Sequence, residues 1–132
     1  MLARRNHSLG AFTLVEIMIV IAIIAMLAAI AVPNIMRGRK RAQATTILED
    51  LRTLDHALDQ WAAENGKKPG DLAEFSDLQP YLKQVNKLNL TGADLFGQPY
   101  GPFAVDIGPK VSPVALAALE DVVPAEFWSP FN

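Results

Sequence analysis

The sequence predicts an α+β protein in which one long N-terminal helix carries a small C-terminal head. Three observations predict this architecture: an apolar run over residues 12–32, apolar side chains at helical spacing over residues 47–61, and frequent Gly and Pro from residue 66 onward. The chain has 132 residues, 51% of them hydrophobic, which suits one domain plus an anchor. The hydrophobic excess is concentrated in the N-terminal run.

The first element is this apolar run, FTLVEIMIVIAIIAMLAAIAV, in which residues 17–32 contain no polar side chain. A helix over residues 12–32 is about 32 Å long, close to the hydrocarbon thickness of a bilayer. A domain this small cannot surround a helix that is apolar on every side. We therefore expect residues 12–36 to lie in a membrane or in the core of a filament.

The second element is an amphipathic continuation of the same helix. Pro33 removes one helical hydrogen bond and predicts a kink. Beyond it, five apolar residues recur at spacings of three or four and form one stripe: Ile47, Leu51, Leu54, Leu58 and Trp61. Asn65 and Gly66, with Pro69 just beyond, predict the end of the helix. Residues 37–65 are therefore predicted to be the amphipathic half.

The third element is the head, residues 66–132, which is divided by Gly and Pro into short segments. This segment buries too little surface on its own, so we expect it to pack on the striped face of the helix. Residues 103–107 have the strongest strand pattern, and residues 88–90 have a weaker one.

Two short helices are predicted within the head. Residues 75–84 suit a helix in which Ser76 and Gln79 are placed for a capping box. Ser112 followed by Pro113 predicts the start of a second helix, because Ser is a favoured N-cap and Pro a favoured first helical residue.

Charge is distributed unevenly along the chain. The formal net charge of −2 gives no overall signature of nucleic-acid binding. Four basic residues follow the apolar run and are called the basic collar: Arg37, Arg39, Lys40 and Arg41. Beyond the collar, 6 basic and 13 acidic residues give a net charge of −7, which argues against direct contact with DNA. The collar suits anionic lipid headgroups, an acidic face of a neighbouring molecule, or plain solvation.

No pattern in the sequence supports catalysis. The absence of cysteine excludes disulfides, thiolate zinc sites and a Cys nucleophile. His56 and Asp59 are three residues apart, but a solvated helix surface explains this pair better than a metal site does. Phosphate loops, nucleophile elbows and zinc signatures are absent. We therefore predict a protein that is not an enzyme and has no metal site.

The most unusual residue is Glu16, a carboxylate within the apolar run. An acidic residue costs about 3 kcal/mol near the centre of a bilayer and less near its edge. Two interpretations follow. Glu16 either lies at the membrane interface, where it reaches water, or pairs with a positive partner.

The segment LGAFTLVE, residues 9–16, resembles the N-terminal motif of the type IV pilin-like prepilins and pseudopilins. That motif has a basic leader, a small residue, Phe-Thr-Leu-x-Glu and an apolar run. The family usually has Gly directly before the cleavage point, with the glutamate as the fifth mature residue. Counting back from Glu16 makes Phe12 the first mature residue and puts Ala11 before the cut, whereas cleavage after Gly10 is the alternative.

The position of the proline supports this register. Cleavage between Ala11 and Phe12 makes residues 1–11 a leader and puts Pro33 at mature position twenty-two, where pilins commonly carry a helix-distorting proline. The resemblance implies that a membrane prepilin peptidase cuts the leader and N-methylates Phe12. It also implies that the new amine pairs with Glu16 of a neighbouring subunit, which sets the register between apolar helices.

A second resemblance lies in the head. Residues 94–100, DLFGQPY, are similar to the D-x-[WF]-G-x-P-Y segment of major pseudopilins in type II secretion systems. The residues that carry the match are Asp94, Phe96, Gly97, Pro99 and Tyr100. Gly97 permits a tight turn and the aromatic rings can pack on the long helix, so we interpret the segment as a packing loop.

Calcium is the one cofactor that this resemblance raises. In the secretion family, a nearby loop binds calcium through carboxylates and backbone carbonyls. The acidic, serine-rich ligand segment of that loop is missing here. Asp94 and Asp106 alone fall short of the 6–8 oxygens that calcium typically takes. We therefore expect no cofactor and keep calcium as the alternative.

The resemblance implies a pilin-like fold and a subunit that polymerises into a helical filament. An assembly ATPase and an inner-membrane platform protein would drive extension of a secretion pseudopilus or a type IV pilus. The small cysteine-free head and residues 94–100 favour the pseudopilus. The expected location is the bacterial inner membrane, with the head in the periplasm. Counting basic residues alone predicts the opposite orientation, because Arg4 and Arg5 precede the helix and four basic residues follow it.

Two other classes of protein remain as alternatives. In the first, residues 1–31 are an ordinary secretory signal that ends in Ala-Ile-Ala, and a soluble binding module begins at Val32. In the second, the helix is an uncleaved anchor for a small binding domain. Neither alternative explains why Phe12, Glu16 and Pro33 fall on the spacing of one family.

Overall fold

The computed structural model describes residues 10–83 and 87–132. The elements in chain order are α1 (Leu14–Glu64), β1 (Leu72–Ala73), α2 (Phe75–Leu78), a 3₁₀ turn (Gln79–Tyr81), α3 (Lys87–Thr91), β2 (Phe103–Ala104), α4 (Pro113–Leu119) and a second 3₁₀ turn (Ala125–Trp128). This confirms the α+β, pilin-like class. The chain divides into two compact units, Met1–Met36 and Arg37–Asn132. Most of the predicted leader, residues 1–9, lies outside the described residues.

In the first unit, α1 is the apolar helix that the sequence predicts. Residues 14–36 are all exposed, with Leu27 at 63% and Ile30 at 65%. Within the described residues, α1 is the one helix long and apolar enough to cross a membrane. It continues through Pro33, although the proline ring leaves the Ala29 carbonyl without its usual helical donor.

In the second unit, α1 supplies one wall of the hydrophobic core. The predicted stripe is confirmed, since Ile47, Leu51 and Leu54 are fully buried. The buried face of α1 comprises Ala44, Ile47, Leu48, Leu51, Leu54, Ala57, Leu58, Trp61 and Ala62. Because these residues recur every three or four positions, they lie on one side of the helix and the head packs against that side.

The sheet of the head is smaller than predicted. β1 and β2 pair antiparallel over two residues each, with Leu72 opposite Ala104 and Ala73 opposite Phe103. The strand predicted over residues 103–107 ends early because the chain turns at Asp106, which has a φ of 80°. The strand predicted over residues 88–90 is wrong, since these residues are helical in α3.

The cap of α4 is confirmed and that of α2 is corrected. The Ser112 hydroxyl accepts a hydrogen bond from the Ala115 N–H at 3.1 Å and caps α4. In α2 the capping box is formed by Glu74 and Asp77 rather than by Ser76 and Gln79. Residue 84, at the end of the predicted helix, lies outside the described residues.

The C-terminal part of the head also contributes to the core. Trp128 and Phe131 are 1% and 4% exposed, and Leu119 is fully buried. The Val111 N–H donates to the Phe131 carbonyl at 2.9 Å, which ties the chain end to the segment before α4. The last residues of the chain are thus part of the core rather than a loose tail.

Candidate functional site

The N-terminal motif lies at the start of α1, in the first unit. Gly10, Ala11 and Phe12 precede the helix and are exposed, with Phe12 at 81%. Exposed segments outside regular secondary structure are the preferred sites of proteolytic cleavage. Both predicted cleavage registers therefore lie on accessible chain.

Glu16 has a local partner that the sequence interpretation did not assign. The Thr13 N–H donates to Glu16 Oε2 at 2.7 Å, and the Glu16 N–H donates to Thr13 Oγ1 at 3.2 Å. These reciprocal bonds are a capping box, which satisfies two N–H groups at the start of α1. Thr13 is not among the predicted site residues, although the T-x-x-E pattern is a recognisable signal of this motif.

The same residues border a shallow, open concavity on the first turns of α1. Its lining is Phe12, Glu16, Ile17, Ile19 and Val20. Glu16 is the one acidic residue in this lining, and the other side chains are apolar. A partner that fills the concavity therefore meets a hydrophobic surface with a single negative charge.

The predicted packing loop, residues 94–100, lies in the second unit and is organised around Asp94. This side chain is 5% exposed, and its Oδ1 accepts from the N–H groups of Phe96 and Gln98 at 2.8 and 2.9 Å. Gly97 adopts a φ of +78°, which favours glycine, and its N–H donates to the Asp94 carbonyl. Pro99 forms an isolated antiparallel bridge with Ala93.

The aromatic residues of the loop contribute to the core. Tyr100 is 7% exposed, and Phe96 packs partly buried against the same cluster. The Tyr100 hydroxyl is buried and has no hydrogen-bond partner among the described residues. Burial raises the pKa of Tyr100, and the nearby Asp50 and Asp94 carboxylates raise it further.

The raised pKa of Tyr100 predicts that the protein loses stability at alkaline pH. A tyrosine whose pKa is raised by folding stabilises the fold fully below its unfolded pKa of about 10 and loses that contribution as pH rises above it. We expect Tyr100→Phe to change the free energy of unfolding by no more than about 1 kcal/mol at pH 8, because the buried hydroxyl beside Asp50 has no well-formed hydrogen bond to lose. Urea unfolding should show that the free energy of unfolding of Tyr100→Phe falls less between pH 8 and higher pH than that of the native chain. The matched control, Tyr81→Phe, changes an exposed contact to Glu64 and should leave the contribution of Tyr100 in place.

The basic collar is used partly within the second unit. Lys40 Nζ lies 2.8 Å from Asp121 Oδ1 and 2.9 Å from Oδ2, and this hydrogen-bonded pair lowers the pKa of Asp121. Arg37, Arg39 and Arg41 are exposed. The sequence did not predict the pairing of Lys40 with Asp121, because the two residues are 81 positions apart in the chain.

Of the remaining candidate groups, Asp59 and Asp106 border one cavity of the head together with Asp55. Among the described residues, no three His, Cys, Asp or Glu side chains are close enough to share a metal ion. Asp94 is enclosed in its loop, whereas Asp106 is exposed in the turn after β2. The site that the structure supports is therefore the N-terminal motif, with the packing loop as a structural feature of the head.

Comparison with known proteins identifies the motif. Residues 10–32 match the family model of the prokaryotic N-terminal methylation motif. The type II secretion system core protein G of Escherichia coli K12 is 35% identical over 98 residues, covering 67% of this chain and 68% of that protein. The Pseudomonas aeruginosa core protein G is 33% identical over 106 residues, covering 74% of this chain and 73% of the relative.

Other matches are shorter. The core protein G of Klebsiella michiganensis is 38% identical over 65 residues, which is 49% of this chain and 46% of that relative. The chain therefore covers less than half the length of this relative. No solved structure shows significant similarity to the chain.

The long apolar helix, the small head and the methylation motif define a pilin-like subunit. The matches to the Escherichia coli and Pseudomonas aeruginosa proteins identify the family within this class. The chain belongs to the family of type II secretion system core protein G, the major pseudopilins.

Proposed function

We propose that this chain is a structural subunit that polymerises into a type II secretion pseudopilus and has no enzymatic activity of its own. The observation that carries this proposal is the N-terminal motif at the start of α1, whose apolar residues 14–36 are all exposed. Such a helix is unfavourable in water and needs a membrane or neighbouring helices around it. Polymerisation surrounds it with copies of itself.

The first step is processing by a prepilin peptidase. Cleavage between Ala11 and Phe12 releases the leader and leaves Phe12 with a free amine, which the peptidase then methylates. Both partners of the capping box, Thr13 and Glu16, lie in the mature chain. The start of α1 therefore keeps its cap after the cut.

The second step is assembly through Glu16. Its Oε2 caps the subunit's own helix, while Oε1 accepts no hydrogen bond from the described residues. The free oxygen suits the positively charged amine of a neighbouring subunit, whose Phe12 ring suits the apolar concavity beside Glu16. An ion pair in an apolar surrounding contributes less to affinity than to a defined register, because burial of both charges is costly.

The third step is the addition of subunits to the filament by proteins of the inner membrane and cytoplasm. Before assembly, residues 12–36 anchor the subunit in the bacterial inner membrane with the head in the periplasm. A platform protein and an assembly ATPase then add subunits from the membrane to the filament base. Pro33 lies near the end of the anchor and adapts the helix to packing in the filament. Nucleic acid is not a direct partner in this proposal.

Other functions are less well supported. An extracellular type IV pilus uses the same assembly chemistry, but the longer relatives are secretion core proteins. A secretory signal that ends at residue 31 requires a cut inside α1, between two helical residues. An uncleaved anchor gives no role to the exposed Gly10–Phe12 segment.

The deciding experiment is the intact mass of the protein from its native membrane and from sheared filaments. We expect a chain that begins at a methylated Phe12. A chain that begins at a methylated Ala11 keeps the family function and moves the register by one residue. A chain that begins at Val32, or one that retains Met1 in filament-producing cells, contradicts the proposal.

A further inference from the structure

The Asp94 carboxylate accepts three hydrogen bonds from groups of the protein. Its Oδ1 accepts the N–H groups of Phe96 and Gln98, and its Oδ2 accepts the Ser112 hydroxyl at 2.7 Å. These three hydrogen bonds satisfy the buried carboxylate with groups of the protein itself. The 5% exposure of Asp94 shows that this arrangement is inside the head rather than on a solvated loop.

Ser112 joins this carboxylate to the C-terminal part of the head. Its hydroxyl donates to Asp94 and accepts from the Ala115 N–H, so it caps α4 at the same time. One side chain therefore fixes both the loop at residues 94–100 and the start of α4. We call the Asp94–Ser112 pair with its backbone donors the clamp.

Two further contacts hold the segment that follows the clamp. The Val111 N–H bonds the Phe131 carbonyl, and Asp121 pairs with Lys40 of α1. Between these points the buried Trp128 and Leu119 fill the core. The segment from residue 109 to residue 132 is thus tied at both ends and in its middle by groups of the protein.

A calcium ion does not fit this arrangement. Calcium takes 6–8 oxygen ligands at about 2.3–2.6 Å and needs carboxylate oxygens that are free to bind it. Binding to Asp94 would displace N–H donors and the Ser112 hydroxyl, which leaves these groups without partners inside the head. Asp106 lies in a separate turn, where it borders a cavity together with Asp55 and Asp59. No three acidic or imidazole side chains of the described residues are close enough to share a metal ion.

We infer that the clamp and the segment 109–132 close this head without the calcium ion that the family resemblance raises. The conformation of the head is then independent of calcium. The fold of the head in this form does not depend on assembly of the subunit into a filament.

The test uses the full-length chain in detergent micelles, with thermal unfolding followed by near-ultraviolet circular dichroism. We expect the same unfolding temperature in EDTA and in millimolar calcium chloride, and no heat of calcium binding in calorimetry. A rise in the unfolding temperature with calcium, or saturable binding, overturns the inference.

Matched variants test the clamp itself. Ser112→Ala removes the bond to Asp94 and the cap of α4, and we expect it to lower the unfolding temperature by roughly 5–10 °C. Ser112→Thr keeps the hydroxyl and should restore most of this loss. Ser76→Ala, at an exposed serine of α2, should leave the temperature unchanged. An unchanged temperature in Ser112→Ala shows that the clamp does not hold the head, and it overturns the inference in the same way as calcium binding does.

Discussion

Glu16→Gln is expected to abolish filament assembly while the subunit still accumulates in the membrane. Gln keeps an oxygen that can accept from the Thr13 N–H, so the capping box survives. It carries no charge, so the amine of the neighbouring Phe12 is left unpaired among apolar helices. Leaving one partner of a buried ion pair without the other costs about 3–5 kcal/mol. Subunit addition should therefore weaken by more than about 100-fold.

The measurement is the amount of sheared filament relative to the amount of subunit in the membrane fraction. Thr13→Ala is the matched control, because it removes the hydroxyl of the capping box and leaves the carboxylate. It should weaken the first turn of α1 by about 1 kcal/mol and still allow assembly. Normal filaments from Glu16→Gln, or their loss from Thr13→Ala alone, would show that the cap rather than the charge is what assembly needs.

The second large effect is expected from Trp128→Ala. Trp128 is 1% exposed and lies edge-on to Phe127, with ring centroids 5.2 Å apart. Truncating a buried Trp costs about 3–5 kcal/mol, because the transfer free energy is lost and a cavity is left. Since a typical domain has a stability of about 5–15 kcal/mol, a large part of the head's stability should disappear.

Urea unfolding of the full-length chain in detergent, followed by far-ultraviolet circular dichroism, measures this loss. Val114→Ala is the control, since Val114 lies on α4 with 44% of its surface exposed. It should change the free energy of unfolding by less than about 0.5 kcal/mol. Similar small effects from both variants would mean that the C-terminal segment is not part of the core.

Much of the fold was predictable because its signals are local. The apolar run and the stripe from Ile47 to Trp61 are periodic patterns, and a helix turns such a pattern into one apolar face. Ser112 followed by Pro113 specifies the start of α4 through groups only three residues apart. The methylation motif is likewise contiguous, so it was recognisable without a structure.

The errors came from short segments in which local signals compete. Residues 88–90 alternate like a strand, yet they form α3 because Asn89 is held in the core by side-chain bonds to the carbonyls of Gln79 and Leu82. The capping box of α2 is formed by Glu74 and Asp77 because the helix begins at Phe75, one residue before Ser76. A few residues carry too little propensity to outweigh such contacts.

By itself the sequence determined the α+β class, the long helix, its buried stripe and the family motif at its start. Only the tertiary structure decided that Ser112 donates a hydrogen bond to Asp94 and that Lys40 pairs with Asp121, 81 residues away. Periodicity and capping act within a few residues and are therefore visible in the sequence. Contacts between distant residues depend on the path of the whole chain, because only the packed core brings their side chains within hydrogen-bond distance.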